Sequence, residues 1–177
     1  APWLTLTNTG LATGMIASDL TGDGRPELVL AAEFGPLRFF RADGTHLLPW
    51  KPGLVTPDGK SVDWINYQGR WTGLTAADFN NDGYMDFAVN TYSRIEIWLN
   101  GGPGTTPAYK FGDASMNPNF TITSLTGGLN SEGMVAIDIE SDGDLDLIID
   151  NHSFGVDVLE NQGDATFVQA NNTTTGL

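Results

Sequence analysis

The chain has 177 residues, with 22 acids against 8 bases, a formal charge of −14, 22 glycines and no cysteine. That balance excludes a nucleic-acid partner, which needs a basic surface, and disfavours an anionic membrane surface; the missing thiols exclude disulfides and thiolate metal sites. No apolar run approaches the roughly 18 residues that span a bilayer, and Ala1-Pro2-Trp3 has neither the basic nor the apolar part of a signal peptide, so any such leader is expected to have been removed.

In chain order, Trp3 to Leu11 predicts an outer strand, because it resembles Phe120 to Leu129 and Phe167 to Leu177. A strand then follows over Gly14 to Ser18, an acidic loop over Asp19 to Glu27, a second strand over Leu28 to Ala31 and a third over Leu37 to Phe40. Residues 43–62 break this order as a long insertion containing Pro and Gly; insertions of that length are uncommon unless functional or disordered. The cycle restarts with Gly73 to Ala77, a loop over Asp78 to Asp86, Phe87 to Asn90 and Ile95 to Leu99. A second insertion, residues 101–118, precedes a fourth run, Phe120 to Thr123. The third unit runs Gly133 to Ile137, Asp138 to Asp146, Leu147 to Asp150, Val156 to Leu159 and Thr166 to Gln169. The first aspartates of the three loops lie 59 and then 60 residues apart.

Each run holds four to seven residues rich in Val, Ile, Leu, Phe or Trp and is bounded by Gly, Asn, Asp or Pro, which predicts strands; no 3.6-residue period is sustained. Four short strands per unit, repeated at this spacing, predict an all-β fold of three four-stranded antiparallel β-propeller blades. A β-sandwich would not require an acidic loop at the same point of each unit. The expected division is an outer strand of a preceding blade (1–11), blade one (12–72), blade two (73–129) and blade three (130–177), in one propeller segment. A closed propeller needs about four blades or more, so further blades are expected, either from a longer parent chain or from a second copy.

The loops place oxygen-bearing side chains at their first, third and fifth positions: Asp19, Thr21 and Asp23; Asp78, Asn80 and Asp82; Asp138, Glu140 and Asp142. Glycine at the sixth position (Gly24, Gly83, Gly143) permits a sharp turn that aims the seventh carbonyl (Arg25, Tyr84, Asp144) inward. The ninth position returns a carboxylate: Glu27, Asp86 or Asp146. Hard oxygens around one centre suit Ca²⁺ ahead of Mg²⁺, which demands tighter octahedral geometry. With no Cys and two His, zinc and copper are disfavoured. An EF-hand would need a bidentate Glu at position twelve, where Leu30, Val89 and Ile149 stand. The competing reading is an Asp/Asn/Gly turn whose side chains cap the backbone. The third loop weighs against it: Asp138, Glu140, Asp142, Asp144 and Asp146 repel one another by on the order of a kcal/mol per pair. Up to three Ca²⁺ ions are expected.

The pattern Asp-x-x-x-Asp-Gly-x-x-Asp/Glu before an apolar strand resembles the FG-GAP/VCBS repeat, which forms the calcium-loop blades of the integrin α-subunit propeller and of many bacterial secreted proteins. Asn161 to Phe167 is similar to that family's Asn-x-Gly-Asp-Gly-Thr-Phe turn, and Asn100 to Gly104 is a looser version. The Phe-Gly and Gly-Ala-Pro signatures of integrins are missing, which places the resemblance nearer the bacterial VCBS branch. It implies an innermost strand before each calcium loop, ions on one face, and partners on the other. That other face would hold Phe34 to Pro36, Gln68 to Gly73, Tyr92 and Ser93, Leu125 to Gly133, and Asn151 to Gly155.

No nucleophile elbow, P-loop or dinucleotide fingerprint occurs. Asp150, His152 and Ser153 form no triad, since neighbouring strand residues point to opposite faces. The chain is therefore expected to be a binding module and not an enzyme: a cell-surface, extracellular or periplasmic calcium module holding a protein or glycan ligand. A structural or assembly unit of a larger surface protein, and an accessory propeller of a secreted carbohydrate-active enzyme, stand beside that reading. Arg70, Phe34, Tyr92 and His152 are the candidate contacts, and Trp71 is either a contact or blade packing.

Overall fold

The computed structural model describes residues 10–56, 60–91, 94–105, 108–112, 121–122, 131–151 and 155–170. Trp3 to Thr9, Tyr92, Ser93, residues 123–130, His152 and residues 171–177, all read above, lie outside them.

The first sheet contains β1 (Ala12–Ser18), β2 (Glu27–Ala32), β4 (Arg38–Ala42) and β5 (Leu47–Trp50) in the order β1-β2-β4-β5, every pair antiparallel. β3 (Gly35–Pro36), within the turn between β2 and β4, pairs with β8 (Gln68–Gly69). β6 (Leu54–Val55) and β7 (Ser61–Val62) form a hairpin. The second sheet takes β9 (Trp71–Ala77), β10 (Asp86–Thr91), β11 (Ile95–Trp98) and β12 (Thr121–Ile122). The third takes β13 (Ser131–Ile137), β14 (Asp146–Asn151), β15 (Gly155–Asn161) and β16 (Phe167–Gln169). These are three sequential four-stranded antiparallel blades.

The blades stack face to face through two apolar layers. Val29, Leu37 and Phe39 of the first sheet meet Leu74, Phe87 and Trp98 of the second. Ala88, Ile95 and Ile97 of the second meet Leu147, Ile149 and Leu159 of the third. The first strands, β1, β9 and β13, lie side by side as the innermost row. Glycine makes that approach possible: a Cβ at Gly14 would sit 3.3 Å from Leu74 Cβ, and one at Gly73 would sit 3.3 Å from the Gly133 main chain.

Two expectations need correction, and one open alternative is resolved. The fourth strand of the first blade, β5, lies inside what sequence predicts as insertion 43–62. Pro49 hides it, although proline is tolerated on an edge strand, and β5 is the edge. The two insertions are also no loose loops where described, because they pair with each other. Phe111 N donates to Gly53 O (2.9 Å) and Val55 N to Phe111 O (3.0 Å). Phe111, fully buried, joins Trp64 and Phe39 in the first apolar layer. Trp71 is blade packing and no surface contact: it is fully buried, and its Nε1 donates to Gly35 O at 2.7 Å.

Candidate functional site

All three acidic loops follow an innermost strand, and their side chains fold the backbone in one repeated way. The first aspartate accepts two loop amides. Asp23 N and Gly24 N donate to Asp19 at 3.1 and 2.7 Å. Asp82 N and Gly83 N donate to Asp78 at 3.1 and 2.8 Å. Asp142 N and Gly143 N donate to Asp138 at 3.2 and 3.1 Å. The fifth residue then accepts from the seventh amide: Arg25 N to Asp23 at 2.9 Å, Tyr84 N to Asp82 at 2.9 Å and Asp144 N to Asp142 at 3.0 Å. The sixth-position glycines have φ of 82°, 87° and 100°. The fourth position is left-handed as well, at Gly22 (67°), Asn81 (57°) and Ser141 (63°). Sequence reasoning passed over it, though Gly and Asn were the signal.

The ninth residue does more than close the loop. Asp86 and Asp146 have no exposed surface. Asp86 accepts Phe79 N at 2.9 Å and Asn100 N at 2.7 Å; Asp146 accepts Ile139 N at 2.9 Å and Asn161 N at 2.9 Å. Each carboxylate therefore ties its loop to the end of the third strand. Burial, helped by the nearby Asp82 and Asp78 charges, pushes the Asp86 carboxyl well above the usual range despite the two amides. In blade one Glu27 takes this place, 2% exposed. Its Oε1 accepts Thr21 Oγ1 at 3.3 Å and lies 3.4 Å from Arg41 Nε. Its Oε2 is buried with no hydrogen-bond partner, and burial pushes this carboxyl up against the pull of Arg41.

The third position differs between loops. Thr21 is held by Glu27, Asn80 Nδ2 donates to Asp82 Oδ2 at 3.0 Å, and Glu140 is exposed. Desolvation and then repulsion by Asp146, Asp142 and Glu160 push Glu140 up. Among the described residues, no group of three or more His, Cys, Asp and Glu converges in a form that would hold a metal ion. The donor chemistry nonetheless suits a hard cation. A carboxylate oxygen bonded to one amide keeps a second lone pair, Glu27 Oε2 is orphaned, and Asp86 and Glu140 carry like-charge repulsion that a cation would relieve.

Two residues that the sequence offered only as the first positions of a turn, Asn100 and Asn161, link the loops of neighbouring blades. Asn100 Nδ2 donates to Leu20 O (2.8 Å) in the loop of blade one and to Met85 O (3.0 Å) in its own. Asn161 Nδ2 repeats this with Phe79 O (2.8 Å) and Leu145 O (3.2 Å). Asn81 Nδ2 also reaches Asp144 Oδ1 at 2.6 Å, joining the second loop to the third. The recurrence of Asn after the third strand was the available signal.

The opposite ends of the innermost strands frame a cleft of about 280 Å³ lined by Thr13, Glu33, Arg70, Trp71, Thr72 and Glu132. Arg70 Nε lies 3.3 Å from Glu33 Oε1, and its guanidinium lies 5.8 Å from the Phe34 ring centre. Phe34 is 71% exposed at φ 55°. Of the five candidate contacts, Phe34 and Arg70 stand together here.

A family model described as FG-GAP-like repeat matches the chain twice, over residues 19–89 and 78–149. Each match opens on the first aspartate of one loop and runs through the next loop into the strand that follows it. No curated protein matches the chain. Among the described residues, no helix is long and apolar enough to cross a membrane.

Proposed function

Since the chain belongs to the FG-GAP-like repeat family, we propose that it is a calcium-binding propeller module that works outside the cell or on its surface and holds a protein or glycan ligand at the end away from the loops. The ions would be held by Asp19, Thr21, Asp23 and Glu27; by Asp78, Asn80, Asp82 and Asp86; and by Asp138, Glu140, Asp142 and Asp146, with the carbonyls of Arg25, Tyr84 and Asp144. Bound calcium would supply charge neutralisation and a rigid turn, not a reaction. The observation that carries this reading is Glu27 Oε2, a carboxylate oxygen buried without a partner at a position where the other loops also place an acid. A buried carboxylate oxygen without a partner is costly, and a cation is the partner that the surrounding oxygens favour.

Extracellular calcium modules hold the ion at about 10⁻⁴–10⁻³ M, an affinity that serves only in high-calcium surroundings. The missing integrin signatures favour the bacterial VCBS branch. At the ligand end, Phe34 and Arg70 offer an exposed aromatic and a guanidinium, residue types that dominate hot spots. The module is read as a binder and not a catalyst. Thermal unfolding in millimolar calcium, in magnesium and in chelator tests this. Calcium should raise the melting temperature by mass action, with magnesium weaker; the same melting curve in all three would sink the calcium reading.

A further inference from the structure

The three acidic loops differ in the residue that stands across from their ninth position. The second and third strands pair Leu28 with Phe40, Phe87 with Trp98 and Leu147 with Leu159. One residue further along, Arg41, Leu99 and Glu160 therefore stand opposite Glu27, Asp86 and Asp146. Leu99 is buried and neutral, and Glu160 adds a charge that repels Glu140. Arg41 alone brings a positive charge, 3.4 Å from Glu27 Oε1. The loops themselves run the same way: three acids and Arg25 in the first, three acids and no base in the second, five acids in the third.

Arg41 is held loosely at Glu27. Its Nε is buried and lies within ion-pair distance of Oε1, yet it makes no hydrogen bond. Oε1 already accepts Thr21 Oγ1, and Oε2 has no hydrogen-bond partner. The guanidinium has a second support as well: it lies 4.3 Å from the Trp50 ring centre and 5.6 Å from that of Tyr109. Those two rings meet edge to face at 6.3 Å, and aromatic faces attract a cation. We propose that Arg41 is the resident counter-ion of the first loop, so that the loops take calcium in the order third, second, first, and the first fills only as the ion displaces Arg41 from Glu27. This rests on the calcium reading of the loops. A fixed positive charge beside a divalent ion opposes its binding, and only the first loop carries one in that place. As the first loop fills, Arg41 withdraws onto Trp50 and Tyr109. The edge strand β5 and the second insertion thereby register the state of that loop.

Calorimetric calcium titration of the intact chain, with tryptophan emission followed in parallel, tests this. The wild type is expected to bind in a tighter and a weaker class. Asp23→Asn, which can keep the turn bond from Arg25 N, should delete the weaker class alone. Arg41→Leu, which installs the residue that blade two has there, should tighten the weaker class by at least about tenfold and leave the tighter class unchanged. Arg41→Lys, which keeps the charge, should leave it weak. Arg41→Gln, neutral and polar, replaces Arg41→Leu if the latter melts early in chelator. Emission should change with the weaker step, and Trp50→Phe should remove that change. Calcium binding with every affinity unchanged in Arg41→Leu and Arg41→Gln would overturn the proposal and leave the calcium reading standing. So would loss of the tighter class in Asp23→Asn, which would put the first loop first in the order. No calcium heat in any of these proteins would overturn the calcium reading, and the proposal with it.

Discussion

The side-chain amide of Asn161 donates to the main-chain carbonyl of Phe79 across 2.8 Å, joining residues 82 positions apart in the sequence. Asn100 makes the same bond to Leu20 O, and both asparagines are buried. Asn100→Ala would strip Leu20 O and Met85 O of this donor and Gly102 N of its acceptor. Orphaned buried groups cost about 1–3 kcal/mol each, so urea unfolding should show a loss of at least about 2 kcal/mol. Gln162→Ala, on an exposed neighbour of the second clasp, should stay within about 0.5 kcal/mol.

Asp142→Asn separates a loop's turn from its charge. Asp142 Oδ1 accepts Asp144 N at 3.0 Å, and an asparagine oxygen can do the same. The chelated variant should therefore melt like the chelated wild type, within about 0.5 kcal/mol. Calcium titration by calorimetry should find one ion fewer. Unchanged stoichiometry would remove the third loop from the set.

Gly73 and Gly133 occupy equivalent places in β9 and β13, yet their surroundings differ. A Cβ at Gly73 meets Gly133 Cα at 3.3 Å, whereas one at Gly133 meets nothing within 4 Å. Gly73→Ala forces the innermost strands apart and should cost about 1–3 kcal/mol. Gly133→Ala should be neutral or mildly stabilising, by up to about 1 kcal/mol. Equal effects in denaturant melts would contradict the close approach.

Tyr67 makes stability depend on alkaline pH. Its hydroxyl donates to Glu96 Oε1 at 2.9 Å, and Glu96 also takes Arg94 Nε at 2.6 Å and Trp98 Nε1 at 3.2 Å. Burial first, and then the Glu96 charge, push the phenol up. An unfolded tyrosine ionises near pH 10, and the folded one later. The unfolded chain therefore loses protons first, so this contribution is complete below about pH 10 and is lost as pH rises further. Tyr67→Phe should cost about 1 kcal/mol at neutral pH and flatten the decline above pH 10. A slope as steep as the wild type's would move the effect to another group.

The three loops and the first strands were legible because each was written three times in register, and because apolar runs alternate with Asp/Gly turns. What escaped notice was written once or lay far apart. β5 is Leu47-Leu48-Pro49-Trp50, and its proline disguises an edge strand. The bond between Phe111 and Gly53 has no period to betray it. Trp71 could not be sorted from a surface aromatic until Gly35 O was seen beneath its indole. In the loops, residue types at each position were legible. The double duty of Asp86 and Asp146, which bind loop and third strand at once, was not, because Asn100 and Asn161 donate to them through main-chain amides that carry no mark in the sequence.

The clasps of Asn100 and Asn161 both run from a later blade back onto the loop of the blade before it. A chain made from its N-terminus leaves Leu20 O to water until residue 100 has been added, and Phe79 O until residue 161. Domains form in that order during synthesis, at roughly 5–20 residues per second. Each blade is thus finished by its successor seconds after its own strands exist, and the newest blade on a growing chain is always the least secured.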